Sequence, residues 1–540
     1  MSRYRSYGKL DDQPVLDGDR AFLGFGSFRD AGSIPENYLS ESQNLRLETN
    51  TATVRKGLKR LTSDATVLAA TVLASTFYRD PASSTEYVVL ACSDRAYFVN
   101  PADGSKKTIL YAGGETAAAG CSIMQAFHYL FLWRTDSPSL PFTLAVNLGK
   151  YPLIFDGSNL AAETGTFVKP AETSTIPPSS YAVYASNRLC VPTGRDTIRF
   201  SVLGDPNLFR YQDQDSVKPG DSDQITSLSP IEGDALMVGK RRSLHVITSV
   251  SDLFASDYLQ SEVSNQFGIV ARETVRQVGG LIFFLNDSGV YSVNAAVRGS
   301  SRVGTPVAYL QITDDPISAD IEDEIEAIDF TTARTTACAV VASNRYFLAV
   351  SSSPSGNDKI LIYNIVLNSW ESVDTLPTGV YVDNLIRIIY NNQLRVAAIC
   401  SSGKILLLEE EADGNDQYGN GTEPSEVAVD AKAVTRLYRG GDVSSVKRWK
   451  IATIGSTTKT ASSTKFRVLA DTREPDSAST ELGEFTTTAI EEDFRRLGIR
   501  QRGNGIQLTI DNGASAAGRW ELRDISIEGH TGSRQRRSYA

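Results

Sequence analysis

One phrase recurs seven times along this chain: an apolar strand, a tight polar turn and a second strand. Its versions are "EYVVLACSDRAYFVN", "YLFLWRTDSPSLPFTLAVN", "NRLCVPTGRDTIRFSV", "DALMVGKRRSLHVIT", "GLIFFLNDSGVYSV", "RYFLAVSSSPSGNDKILIYNI" and "QLRVAAICSSGKILLLEE". They begin at Glu86, Tyr129, Asn187, Asp234, Gly280, Arg345 and Gln393. The spacing of roughly 40 to 65 residues is that of propeller blades. Runs such as VVLA, LFLW, IFFL and YFLAV are apolar on both faces, which suits inner strands pressed between neighbouring blades. The Asp-Gly, Ser-Gly and Asn-Asp turns are hairpin chemistry.

Most phrases follow another short strand, among them "SIMQAF", "YAVYAS", "ITSLSPI", "ETVRQV", "TACAVV" and "LIRIIY", and "NSWESV" is a candidate outer strand. The best helix candidate is "ISADIEDEIEAI", Ile317 to Ile328, an acidic surface helix or loop insertion. The pattern predicts an all-β fold, a six- or seven-bladed β-propeller over 66–411. A pair of β-sandwiches is the alternative for the same strands.

Before the propeller lies an extended N-terminal arm, 1–65, whose hairpin "NLRLETNTATVRKGLKRL" is placed to add outer strands to the last blade. Closing the ring removes exposed sheet edges. After it come a polar linker, 412–426, an antiparallel β-sandwich, 427–530, and a basic tail, 531–540. Alternation at Trp520, Leu522, Ile525 and Ile527 marks a sandwich strand.

A chain of 540 residues suggests two to four units, and 41% apolar residues can fill several cores. Net charge is −10 with the basic residues scattered, which argues against a protein that grips nucleic-acid phosphates. Cys92, Cys121, Cys190, Cys338 and Cys400 are far apart, each in or beside an apolar run, and read as buried thiols of a reducing compartment. "MSRYRSYGKLDDQ" has no apolar leader core and no run approaches the ~18 apolar residues of a membrane span. Cytoplasmic synthesis without export or membrane insertion is the expectation.

Catalytic furniture is sparse. His128, His245 and His530 fall in different units without metal-pair spacing. "GDALMVGKRR" has five residues between Gly233 and Gly239, not four, and Arg241 where a phosphate loop needs Ser or Thr. Asp287, Ser288 and Gly289 are explained by their turn. A calcium loop started at Asp413 would need Gly where Tyr418 stands. The expectation is no catalytic residue, no cofactor and no metal site.

The segment Phe22 to Leu61, "FLGFGSFRDAGSIPENYLSESQNLRLETNTATVRKGLKRL", carries a more specific signal. Phe25, Gly26, Ile34, Pro35, Tyr38, Ser40, Asn44, Arg46, Arg55, Gly57 and Leu58 resemble the opening of the propeller-bearing tail nozzle, or lower-collar, proteins of short-tailed bacteriophages. "GIVA" followed by "VGGLIFFLNDSGVY" resembles a blade of that group. "RRLGIRQRGNGIQLTIDNG" and "WELRDISIEG" resemble its terminal sandwich. These matches span about a quarter of the chain.

The resemblance implies a structural virion protein made in a bacterial host and not an enzyme. It implies a homo-oligomeric ring, a hexamer, below a portal and tail adaptor, with DNA passing through without specific binding. Tail fibres or spikes and a tip protein are further partners in such a tail. The rivals are a propeller glycan hydrolase and a receptor-binding tail protein. For Arg46, Arg55, Lys56, Lys59 and Arg60 the readings are a solvated strand face or contact with an acidic neighbouring subunit. For Arg534, Arg536 and Arg537 they are a disordered end or a docking arm.

Overall fold

The computed structural model describes residues 14–27, 32–135, 149–171, 174–231, 234–252, 258–298, 307–312, 315–419, 426–441, 446–460, 464–472, 479–487, 492–512 and 518–531. Its first strands pack in a ring. Blade 1 opens with Ala74–Arg79, blade 2 with Ser122–Ala126, blade 3 with Val183–Ala185 and blade 4 with Ile225–Ile231. Arg276–Val278, Cys338–Ala342 and Val382–Tyr390 open blades 5, 6 and 7. Each packs on the next, blade 4 reaching blade 5 through the single turn Arg272–Thr274, and the first strand of blade 7 meets that of blade 1. The fold is a seven-bladed β-propeller.

The long apolar runs are the second strands, not the innermost ones. Glu86–Ala91, Leu281–Asn286 and Arg345–Val350 are almost wholly buried, because a neighbouring blade covers each face. The innermost strand Arg276–Val278 is half-buried, whereas Ile225–Ile231 and Cys338–Ala342 are mostly buried. Tyr87, Val89, Phe131, Leu189, Phe283, Phe284, Phe347 and Ala397, all on second strands, are each 5% exposed or less. Among the described residues seven hydrophobic clusters result, one for each interface between adjacent blades. The cluster between blades 5 and 6 runs on into the sandwich core.

Ring closure uses four residues of the arm. Gly57–Arg60 pairs antiparallel with Ile405–Glu411 as the outer strand of blade 7. The preceding hairpin, Leu45–Glu48 and Thr51–Val54, goes elsewhere and pairs with Trp520–Thr531 in the first sandwich sheet. That sheet also holds Pro14–Asp19, Lys447–Thr458 and Glu492–Gly503. The second sheet holds Tyr38–Gln43, Lys432–Thr435, Gln507–Asp511, Thr464–Asp471 and Thr480–Thr487. Tyr38–Gln43 also bridges the outer strand of blade 6, Ser369–Thr375, at Gln43 and Val373, so one sheet crosses from propeller to sandwich.

Trp520, Leu522, Ile525 and Ile527 all face the sandwich core. The three-residue step after Leu522 is a bulge, where Gly455 opposes Asp524 and Ser456 opposes Leu522. The acidic segment after blade 5 forms a single turn, Ala319–Ile321, and a short helix, Glu322–Glu326, seated by Ile321, Ile325 and Ile328.

Candidate functional site

The best-defined cluster of charged side chains lies where arm, propeller and sandwich meet. Arg46 sits in the strand Leu45–Glu48, and Arg55 lies between the hairpin and the ring-closing strand. Arg46 forks onto Asp374 of blade 6, Nη1 to Oδ1 at 2.9 Å and Nη2 to Oδ2 at 2.5 Å, while its Nε donates to Glu409 of blade 7. Arg55 forks onto Asp416 at 2.8 and 2.7 Å, and its Nε donates to Asn44 Oδ1 at 2.9 Å. Beside them Arg345 forks onto Glu371 at 2.7 and 2.9 Å, and Glu371 accepts Leu47 N–H at 2.6 Å.

Arg46 and Arg55 are 5% and 2% exposed, which excludes the solvated face. Their carboxylate partners belong to the same chain, so neither is available to an acidic neighbour. Of the other arm cations, Lys59 pairs with Glu411 at 3.4 Å and Arg60 donates to Gly419 O at 2.9 Å. Arg534, Arg536 and Arg537 lie outside the described residues.

Burial pulls the Arg46 guanidinium down, but Asp374 and then Glu409 outweigh it and hold it well above its ordinary value. For Glu409 burial pushes upward, and Arg46 followed by Arg345 bring it below the usual carboxylate range. Arg46 and Glu409 therefore both stay ionised at neutral pH. Bidentate Arg–carboxylate geometry fixes orientation as well as distance. Such an arrangement is a clamp, with no nucleophile or labile proton in it.

Asn44, Arg46, Arg55 and Gly57 of the N-terminal signal meet here. Phe25 is buried in the cluster that runs into the sandwich core, Leu58 in the cluster between blades 6 and 7, and Ile34 is buried as well. Ser40 Oγ donates to Thr435 O at 3.0 Å, joining the arm to the sandwich. Asn44 also donates to Asp430 O at 2.7 Å. At Gly57 a Cβ would come 1.8 Å from the Asn415 carbonyl oxygen, so only glycine fits. Sequence reasoning missed Asp374, Glu371, Glu409 and Asp416, because isolated acidic residues in strands and a polar linker look solvated.

The other chemistry-bearing residues stay apart. His128 lies against the Tyr129 ring at a tilt of 37° in blade 2, His245 is buried beside Ser243 Oγ at 3.1 Å in blade 4, and His530 is on a sandwich strand. Lys240, of the phosphate-loop look-alike, is fully buried on Asp196 and Asp221 at 2.8 and 3.1 Å. Asp287 binds Arg241 and Arg334, both at 3.1 Å, tying the blade 5 turn to its neighbours. Among the described residues no group of three His, Cys, Asp or Glu side chains is placed to hold a metal ion. An open cleft of about 620 Å³ lies between blades 2 and 3, with Tyr129, Ile154 and Leu208 as apolar wall and Asp156, Asn159 and Asp205 as polar rim.

No known family model matches the chain, and no curated protein matches it. Solved structures do resemble it. BBS1N in complex with ARL6DN aligns at 13% identity and TM-score 0.38 over 66% of this chain and 98% of that one. The mitotic checkpoint complex aligns at 10% identity and TM-score 0.37, over 66% of this chain and 95% of that one. An exo-β-1,3-galactanase of Phanerochaete chrysosporium aligns at 9% identity and TM-score 0.24, over 78% and 98%. The propeller itself rests on the sheet order and the ring of blade contacts described above.

Proposed function

We propose that this protein is a non-catalytic structural component of a virion tail, the propeller-bearing nozzle of a short-tailed bacteriophage. It would assemble as a ring below an adaptor around the path of the DNA. The observation that supports this reading is the clamp in which Arg46 and Arg55 pair with Asp374, Glu409 and Asp416, with Asn44 hydrogen-bonded to Arg55 and Gly57 close beside it. The residues behind the resemblance are spent on joining three parts of one chain into a single body, which an assembly unit under mechanical load needs. The experiment is electron microscopy of the purified protein and of virion tails. A closed ring of identical copies in the tail is the expected result, and a monomer absent from virions would overturn the reading.

The hydrolase reading has one observation in its favour, the cleft carrying Asp156 and Asp205. Two carboxylates at glycosidase separation are the minimum for that chemistry. Incubation with host lipopolysaccharide or capsule separates the two. The nozzle reading expects no sugar release, and release abolished by Asp156→Asn or Asp205→Asn would favour the hydrolase.

A further inference from the structure

The outer face of the first sandwich sheet gathers cations that the sequence scatters. Along the edge strand Glu492–Gly503, every second residue faces outward: Phe494, Arg496, Gly498, Arg500 and Arg502, all exposed. The neighbouring strand Lys447–Thr458 sets Arg448 opposite Arg502, and the exposed Lys450 falls at the bulge between the pairs Trp449–Gln501 and Ile451–Gly498. Opposite residues on paired strands sit ~5 Å apart, and alternate residues on one strand ~7 Å apart. Four positive charges therefore form a tight grid, extended by Arg496 and ended by Phe494, whose ring is 66% exposed.

Arg496 shares its charge with Glu528 at 3.7 Å. Among the described residues Arg448, Lys450, Arg500 and Arg502 have no carboxylate partner. In a chain of net charge −10, where Arg46, Arg55 and Arg345 are each matched to carboxylates, this face carries its charge uncompensated. Like charges this close repel, and a bound polyanion relieves the repulsion.

We propose that this face docks single-stranded nucleic acid, the phosphates running along the Arg496–Arg502 row and a base resting on Phe494. Three features select this partner. Arginine forks match phosphate oxygens two at a time. A row of charges at strand spacing suits a partner whose charges also repeat along a line. An exposed aromatic ring in the same row gives a base something to stack on, a combination used by sheet-based single-strand binders. An acidic protein surface would use the charges but leave Phe494 idle. The acidic remainder of the molecule repels the same polymer, so binding is confined to this face. The inference is independent of the virion reading.

The test is fluorescence anisotropy of the full-length protein with a labelled oligothymidylate of ~20 nucleotides. Four neutralised phosphates on a single strand give a log–log salt slope of about −3, so affinity should fall about 20-fold between ~50 and ~150 mM salt. Arg500→Glu with Arg502→Glu should abolish binding at ~150 mM salt while the melting temperature is unchanged, because both side chains are exposed. Phe494→Ala should weaken binding about fivefold or more with the salt slope preserved, the mark of lost stacking. Absence of binding at ~50 mM salt, or full binding by the double variant, would overturn the proposal. So would equal affinity for polyglutamate or for vesicles of phosphatidylserine, either of which would show an undiscriminating basic surface. Ring formation by the double variant would leave the assembly reading standing whichever way the anisotropy falls.

Discussion

Arg55 and Asp416, 361 positions apart in the chain, are joined by two parallel hydrogen bonds of 2.8 and 2.7 Å. Asp416 has a second use, accepting the N–H of Leu58 at 2.8 Å at the start of the ring-closing strand. Arg55 is thus held by the segment that leaves the propeller, within three residues of the strand that closes it. Removing one partner leaves the other charge buried and unpaired. Arg55→Ala and Asp416→Ala should each cost about 3–5 kcal/mol by chemical denaturation, and the double substitution less than the sum. Additive losses would mean that the pair is not coupled.

Phe283 and Phe284 are adjacent and point to opposite faces of blade 5. Phe283 stacks 5.3 Å from Tyr346 of blade 6, and Phe284 packs in the cluster shared with blade 4. Each Phe→Ala change should cost about 3–5 kcal/mol. Because the two rings serve different interfaces, the double variant should lose nearly the sum. A loss under about 1 kcal/mol at either site would contradict the packing described.

Asp383 sits at a bulge on the innermost strand of blade 7, between the pairs Val382–Cys400 and Asn384–Ile399. Its Oδ2 has no hydrogen-bond partner among the described residues, and burial pushes its carboxyl up to about 7. The native state then keeps a proton that the unfolded chain releases near pH ~4. Stability is fully present below that value and falls as pH rises towards 7. Asp383→Asn should match the parent near pH ~4 and exceed it at pH ~8 by about 1–2 kcal/mol, since partial exposure keeps the effect under the ~4 kcal/mol ceiling. Parallel stability curves from pH ~4 to ~8 would refute this.

All five cysteines are buried. Burial pushes Cys92 up to about 11 and Cys121, Cys190 and Cys400 each up to about 12, and raises Cys338 further. Both exposure and thiolate fraction are therefore minimal at neutral pH. The native protein should titrate no thiol with a chromogenic disulfide over an hour at pH ~8, and all five after denaturation. A rapidly reacting thiol in the folded protein would place one of them at the surface.

Local pattern carried much of the propeller. Six of the seven strand–turn–strand phrases, with apolar runs such as IFFL and turns such as Asn286–Gly289, follow from side-chain alternation and turn chemistry, which act over a few residues. In the phrase starting at Tyr129 the described partner strand is Gly149–Phe155, and 136–148 lie outside the described residues. Pattern could not say which strand of a blade is innermost, because the second strand of each blade is the more apolar one.

What only the tertiary structure decided rests on pairs far apart in the chain. Leu45–Val54 and Gly57–Arg60 look like one continuous segment, yet the first half joins the sandwich and the second the propeller. Arg46 and Arg55 look solvated until Asp374, Glu409 and Asp416 arrive from more than 300 residues away. Arg448 and Arg502 look scattered until strand register sets them side by side. A charge in a sequence has no sign of its partner. Coulomb energy and desolvation depend on distance through space, which the chain acquires only by folding.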